Sequence, residues 1–229
     1  MATKTTKRRK QPRRSNAERS ATTRSKLIQA AIELLYEKGY SATTTISVAA
    51  KARVSRGAML HQFPTRVKML LSVADFIVKD HAQQRRGQLD PHGEGLPRFY
   101  AAADVSWSVH SRPSAIALLE IMMSTRSDKT LRKGFAPFLK LWADMRRSAA
   151  VRMAQSLGVP AEVDRIEVLI SLHQTVMRGM SIELMFSNNL DDVEQMRQMQ
   201  VHFERQFAEQ MVAERDKKNA TPLKVVKTS

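Results

Sequence analysis

From Leu27 to Met211 the apolar residues of this chain recur at steps of three and four, and its glycines and prolines fall mostly between the segments so marked. That period belongs to helices with one buried face, and no alternating strand pattern competes with it, so the fold class is all-α. Ser15-Asn16-Ala17-Glu18 matches a capping box for a first helix that ends near Lys38, where Gly39 suits a left-handed C-terminal cap. Thr43-Thr44-Thr45 offers caps for a short second helix through Val48 to Ala52, and Arg53-Val54-Ser55 is a tight turn with Val54 as a buried plug. A third short helix spans Arg56 to Gln62, Phe63-Pro64-Thr65 ends it, and an amphipathic helix follows from Arg66 to about Arg86. Gly87 to Pro97 is predicted to be a loop, then helices over 97–110, 114–123, 128–156, 161–187 and 191–214, with Pro137 a point of kinking or splitting. The expected organisation is a disordered basic arm over 1–14, a three-helix head over 15–66, a larger helical domain over 67–214 and a disordered tail over 215–229.

Charge separates these parts. Up to Lys68 there are sixteen Lys and Arg against three acids, a net +13, whereas residues 69–229 hold twenty-two against nineteen, a net +3. Such asymmetry points to a polyanion for the first third of the chain, since each cation placed on a phosphate releases condensed counterions. A solvated basic surface is the plainer alternative. The absence of cysteine removes disulfides, zinc fingers, iron–sulfur clusters and thiol nucleophiles, and suits a reducing cytoplasm. No apolar run approaches the length needed to span a bilayer, so a cytoplasmic protein with no membrane partner is expected. Neither a metal-ligand spacing, a phosphate-cradling glycine loop nor a nucleophile elbow is present, so neither catalysis, a metal nor a cofactor is expected.

Three short helices with a three- to four-residue turn between the second and third are the geometry that lays one helix in the DNA major groove. The run TTISVAAKARVSRGAMLHQF at Thr44–Phe63, followed by PTR and preceded by LIQAAIELLYEKGY, resembles the DNA-binding head of the tetracycline-repressor (TetR) family over about fifty residues. The resemblance implies a helix-turn-helix domain whose third helix offers Arg56, Gly57, Ala58, Leu60, His61 and Gln62 to the groove. Arg56 suits a guanine edge, Gln62 an adenine, and Ala58 or Leu60 a thymine methyl. Thr44 and Ser55 sit at helix starts where phosphates meet hydroxyls and N–H groups, and Arg66 matches a position where the family usually places a phosphate-binding lysine. Leu60 stands where a tyrosine is common and Arg53 where a glycine is usual; a left-handed Arg53 costs on the order of 1 kcal/mol. Arg13 and Arg14, with Arg8 and Arg9, can enter the minor groove beside the head or simply neutralise phosphates.

In the larger domain Trp107, His110, Met122, Trp142, His173 and Met177 can line an apolar cavity for an unidentified small-molecule effector, or belong to the core. The resemblance favours the cavity. The stripes Val168, Leu172, Val176, Met180, Leu184 and Met196, Met199, Phe203, Phe207, Met211 suit a four-helix homodimer interface, or burial within one chain. The expected function is a ligand-responsive, sequence-specific regulator that represses transcription by binding double-stranded DNA as a dimer on a pseudo-palindromic operator. A non-specific basic nucleic-acid-binding protein and an all-helical enzyme are the alternatives.

Overall fold

A computed structural model describes residues 15–187 and 190–220 of the 229-residue chain. The described residues form nine α-helices and two three-residue 3₁₀ segments, with no strand, as the apolar period requires.

Helix α1 (Asn16–Ala42) starts at Ser15, whose Oγ accepts the Glu18 N–H at 3.1 Å while the Glu18 carboxylate accepts the Ser15 N–H at 2.8 Å. The rod stops at Gly39 (φ 73, ψ −177), a backbone region essentially confined to glycine, and one offset turn carries the chain to Ala42. Helices α2 (Thr45–Lys51) and α3 (Arg56–Gln62) are capped by the Thr44 and Ser55 hydroxyls. Arg53 between them is the one non-glycine residue with positive φ (52°) among the described residues. Val54 is half-buried against the core and not a fully enclosed plug, because its neighbours Arg53 and Ser55 hold the turn at the surface.

Thr65 caps α4 (Arg66–Leu89), which passes straight through Gly87. That glycine meets no neighbour, so the expected loop begins later, after a cost of about 1 kcal/mol for a glycine inside a helix. A 3₁₀ segment at Asp90–His92 leads to α5 (Leu96–His110), followed by α6 (Pro113–Ser124) and α7 (Lys129–Ser156). Pro137 lies within α7 without splitting it. A 3₁₀ segment at Pro160–Glu162 then precedes α8 (Val163–Phe186) and α9 (Leu190–Ala220). Helix α9 corrects the expected onset of the tail: residues 215–220 are helical. Arg215 Nη1 donates to the Leu157 carbonyl at 2.6 Å, and Gln210 Nε2 donates to Glu214 at 2.8 Å, so this turn is tied to the end of α7. The rest of the expected tail, and the arm over 1–14, lie outside the described residues.

The first core cluster joins Leu27, Leu35, Met59 and Phe63 of the three-helix head to Leu70 and Ile77 of α4, Ile121 of α6, and Leu131 and Phe135 of α7. Full burial of each leucine or isoleucine contributes about 1.5–3 kcal/mol. The head is therefore seated on the larger bundle through shared apolar contacts. Helix α7 crosses α4 so closely that a Cβ at Gly134 would stand 2.6 Å from Leu71 Cδ1. A second cluster (Phe99, Ala150, Ala154, Leu157, Ile166, Ala208, Met211) and a third (Met177, Met180, Val193, with Trp107 against them) fill the distal part of the bundle.

Candidate nucleic-acid interface

Helix α3 divides cleanly by face. Met59 within it and Phe63 at its end are 1% exposed and anchor it inward, while Arg56, Gly57, Leu60 and His61 are exposed and Ala58 is half-buried. Ser55 Oγ accepts the Ala58 N–H at 3.2 Å, fixing the start of this seven-residue rod. Thr44, half-buried, accepts the Ser47 N–H at 3.0 Å, and Ser47 Oγ returns the contact by accepting the Thr44 N–H at 2.8 Å. The two caps orient α2 and α3 against each other across the Arg53 turn.

The acids of this region are occupied elsewhere. Glu18 closes the capping box, and Glu33 and Glu37 both bind Lys51, at 3.3 and 2.8 Å. The side chains of Arg53, Arg56 and Lys68 make no ion pair or hydrogen bond among the described residues. Cations left unpaired on an exposed face, with the nearby carboxylates neutralised, give a surface ready for polyanion contact.

Two expected contact residues point elsewhere. Arg66 does not reach outward: its Nε donates to the Thr43 carbonyl at 2.8 Å, its Nη2 donates to the Tyr40 carbonyl, and its guanidinium lies 3.9 Å over the Tyr40 ring. Arg66 thereby adds a donor to the Tyr40 carbonyl, which also accepts the Thr43 N–H at 3.1 Å, and another to the carbonyl of the cap residue Thr43. Gln62 Nε2 donates to Ser20 Oγ at 2.7 Å, which turns this side chain toward α1. Ile46, by contrast, is 70% exposed in the first turn of α2. An isoleucine amid threonines and serines at a helix start was a legible sign of it. Arg13 and Arg14 lie outside the described residues.

The same junction grips the body. The Tyr40 N–H donates to Glu120 of α6 and the Tyr40 hydroxyl to Asp128, both at 2.8 Å. Asp128 also caps α7 through the Leu131 N–H at 2.8 Å; that bond first, then the one from Tyr40, holds its carboxyl below the usual range. Burial and the Asp128 contact push the Tyr40 phenol up.

The six residues expected to line one cavity do not gather in one apolar cluster. Met122 and Trp142 pack on the first core cluster, Trp142 edge-on to Phe135 at 5.4 Å, while Trp107 and Met177 belong to the third. His173 Nδ1 stands 2.8 Å from Glu204 Oε1, and His110 Nδ1 2.9 Å from the Ser106 carbonyl. Two surface clefts, one between α1 and α4 and one between α5 and α9, touch none of the six. Helical spacing marks which side chains face inward; which of the facing helices they meet depends on the packing. The arginines Arg85, Arg146 and Arg178, which share this interior, were missed although Arg85 follows His81, and Arg146 follows Trp142, by one turn.

Residues 27–73 match the family model described as bacterial regulatory proteins, tetR family. The chain is 31% identical over 132 residues to the HTH-type transcriptional regulator CymR of Pseudomonas putida, a match spanning 53% of this chain and 60% of that protein. It thus spans less than two thirds of that relative's length. A transcriptional regulator from Rhodococcus superposes with a TM-score of 0.62 at 17% identity, covering 80% of this chain and 96% of its own. A protein from Saccharomonospora viridis, described as a transcriptional regulator and solved in complex with choline, superposes with a TM-score of 0.59 at 15% identity over 80% of this chain and 95% of its own. At these identities the structural likeness establishes the fold.

Proposed function

We propose that this chain, whose residues 27–73 match the tetR family of bacterial regulatory proteins, is a ligand-responsive repressor acting as a homodimer on a pseudo-palindromic operator. The observation that carries this reading is the outward face of α3, where Arg56, Gly57, Leu60 and His61 stand exposed with no acid bound to them among the described residues. Arg56 addresses a guanine edge, and Ala58 or Leu60 a thymine methyl. Ser55 and Thr44 set the register of the rod on the backbone, while Arg53 and Lys68 are the flanking phosphate contacts.

Dimerisation supplies the second half-site, about one helical turn or a multiple away. Helices α8 and α9 support it: Val168, Leu172 and Phe186 are 69%, 53% and 73% exposed, and Met199 and Phe203 57% and 58%. Apolar side chains this exposed at helical spacing form a patch that a second copy buries in a four-helix contact. Replacing Leu172 with Glu turns a dimer at micromolar concentration into a monomer in sedimentation. A wild-type protein already monomeric there removes the two-half-site mechanism.

A small molecule bound in the larger domain acts through α4, whose first turn holds the head by Arg66 and whose later turns line the bundle. Its effect can be no larger than its differential affinity for the two spacings of the heads. The test of the whole reading is selection of bound fragments from a random DNA pool, repeated with Arg56→Ala. Wild type enriches one motif and prefers it about a thousandfold or more over random DNA, and the variant loses that enrichment. Equal retention of all fragments by the wild type identifies a non-specific coating protein instead.

A further inference from the structure

Where helices α4, α5, α7 and α8 pack together, the interior holds hydrogen-bond donors without acceptors. Trp142 Nε1 and Arg146 Nε, one turn apart on α7, are buried and make no hydrogen bond among the described residues. Arg146 Nε has only a long ion pair with Glu167 Oε1 among the described residues, at 3.6 Å and without a hydrogen bond, and the other oxygen of that carboxylate is bound by Arg147 at 2.9 Å. Among the described residues Arg178 of α8 is satisfied only by Thr175 Oγ1 of its own helix, at 3.2 Å. Arg85 of α4 makes no ion pair or hydrogen bond among the described residues. Burial holds the guanidiniums of both Arg85 and Arg178 below their usual value.

The local acids are already committed. Glu204 accepts from His173 Nδ1 or shares its proton at 2.8 Å and accepts from Gln200 at 2.7 Å, and Asp80 accepts from Gln84 at 2.7 Å. Burial first, opposed by the Ser106 carbonyl and aided by Arg85, His173 and Arg178, holds His110 down to about 4, so it stays neutral at ordinary pH and adds no charge to the arginines. Apolar surface lies alongside, because Ser181, one turn beyond Met177, donates to the His110 carbonyl at 2.8 Å and so brings the third cluster against this end of α5.

Buried polar groups are ordinarily paired, and a buried cation without a partner is strongly unfavourable. Here every unmet group is a donor, so what completes the site must bring acceptors and negative charge. We propose that the effector is an organic carboxylate, its anionic end held by Arg85 and Arg178 with Trp142 Nε1 and Arg146 Nε as further donors, and its apolar body laid against Met177 and Trp107. This rests on the ligand-responsive reading above and names the chemistry of its ligand.

Calorimetric titration of the full chain with octanoate and phenylacetate, each against its amide, tests it. The acids bind about tenfold or more tightly than the amides, and Arg85→Gln and Arg178→Gln each remove most of that preference. Equal binding of acid and amide, binding of neither, or unchanged preference in both variants overturns the inference. Loss of binding through misfolding is separated by melting the free proteins. An arginine kept for a ligand is a burden without it, so Arg85→Gln raises the melting temperature of the free protein by roughly 2–4 °C. A lower one marks Arg85 as structural and overturns its assignment. DNA selection by the same samples keeps the two readings apart: protein that selects a motif but prefers no carboxylate sinks this inference alone, whereas protein that selects none sinks the regulator reading beneath it.

Discussion

The cations on the face of α3 and those between α4 and α8 are the same chemical groups in opposite circumstances. Arg53, Arg56 and Lys68 stand in water, where an unpaired charge costs little, and a surface of such charges attracts any polyanion at long range. Arg85 and Arg178 are held in the bundle, where an unpaired charge is expensive and only a partner of matching shape can relieve it. The contrast teaches where each kind of selectivity resides. On the head the charges provide affinity and side-chain shape reads the bases; in the body the buried charge itself discriminates among ligands.

The largest expected effect lies on the interior side. His81, 6% exposed and 2.8 Å from Ser114 Oγ, titrates near 4 in the fold, chiefly because burial disfavours its charged form. Its unfolded value is near 6.5, so between the two the unfolded chain binds more protons and stability falls as pH drops through that window. The loss approaches about 3 kcal/mol at the acid end, read by urea denaturation at neutral pH and near pH 4.5. His81→Gln removes about half of the loss, because His110, also held down to about 4, keeps the rest, and a wild-type midpoint that ignores pH would break the contrast between wet and dry halves.

A smaller effect is expected at Arg53. Replacing it with Gly relieves the positive φ of 52° and stabilises the protein by up to about 1 kcal/mol, while weakening binding to all DNA sequences alike. Destabilisation on that change would mean that the side chain supports the turn. Smallest is Lys68→Ala, which leaves stability within about 0.5 kcal/mol and lowers the slope of log affinity against log salt by roughly 0.9. An unchanged slope removes Lys68 from the phosphate contacts.

Much of this architecture is written in local signals. The starts of α1, α2, α3 and α4 follow from Ser15, Thr44, Ser55 and Thr65, because a cap is a bond between a side chain and a backbone group three residues away. Gly39 marks the end of the first rod for the same kind of reason. Arg66 and Gln62 were not legible as inward-facing residues, since their partners Tyr40, Thr43 and Ser20 lie more than twenty positions away. The exposed side of α3 was legible from its own period; the company kept by Trp142 and Met177 was not.

The order of helices, their caps and the concentration of charge toward one end are properties of neighbouring residues, and the chain alone determined them. The tertiary structure decided which inward-facing side chains meet, that Gly39 and Tyr40 join the head to Glu120 and Asp128, and that several arginines share one interior where, among the described residues, Glu167 is the acid that reaches Arg146, at 3.6 Å, while it binds Arg147 more closely. Those facts depend on distances between helices remote in sequence, and a periodicity carries the direction of a side chain but not the identity of what it faces.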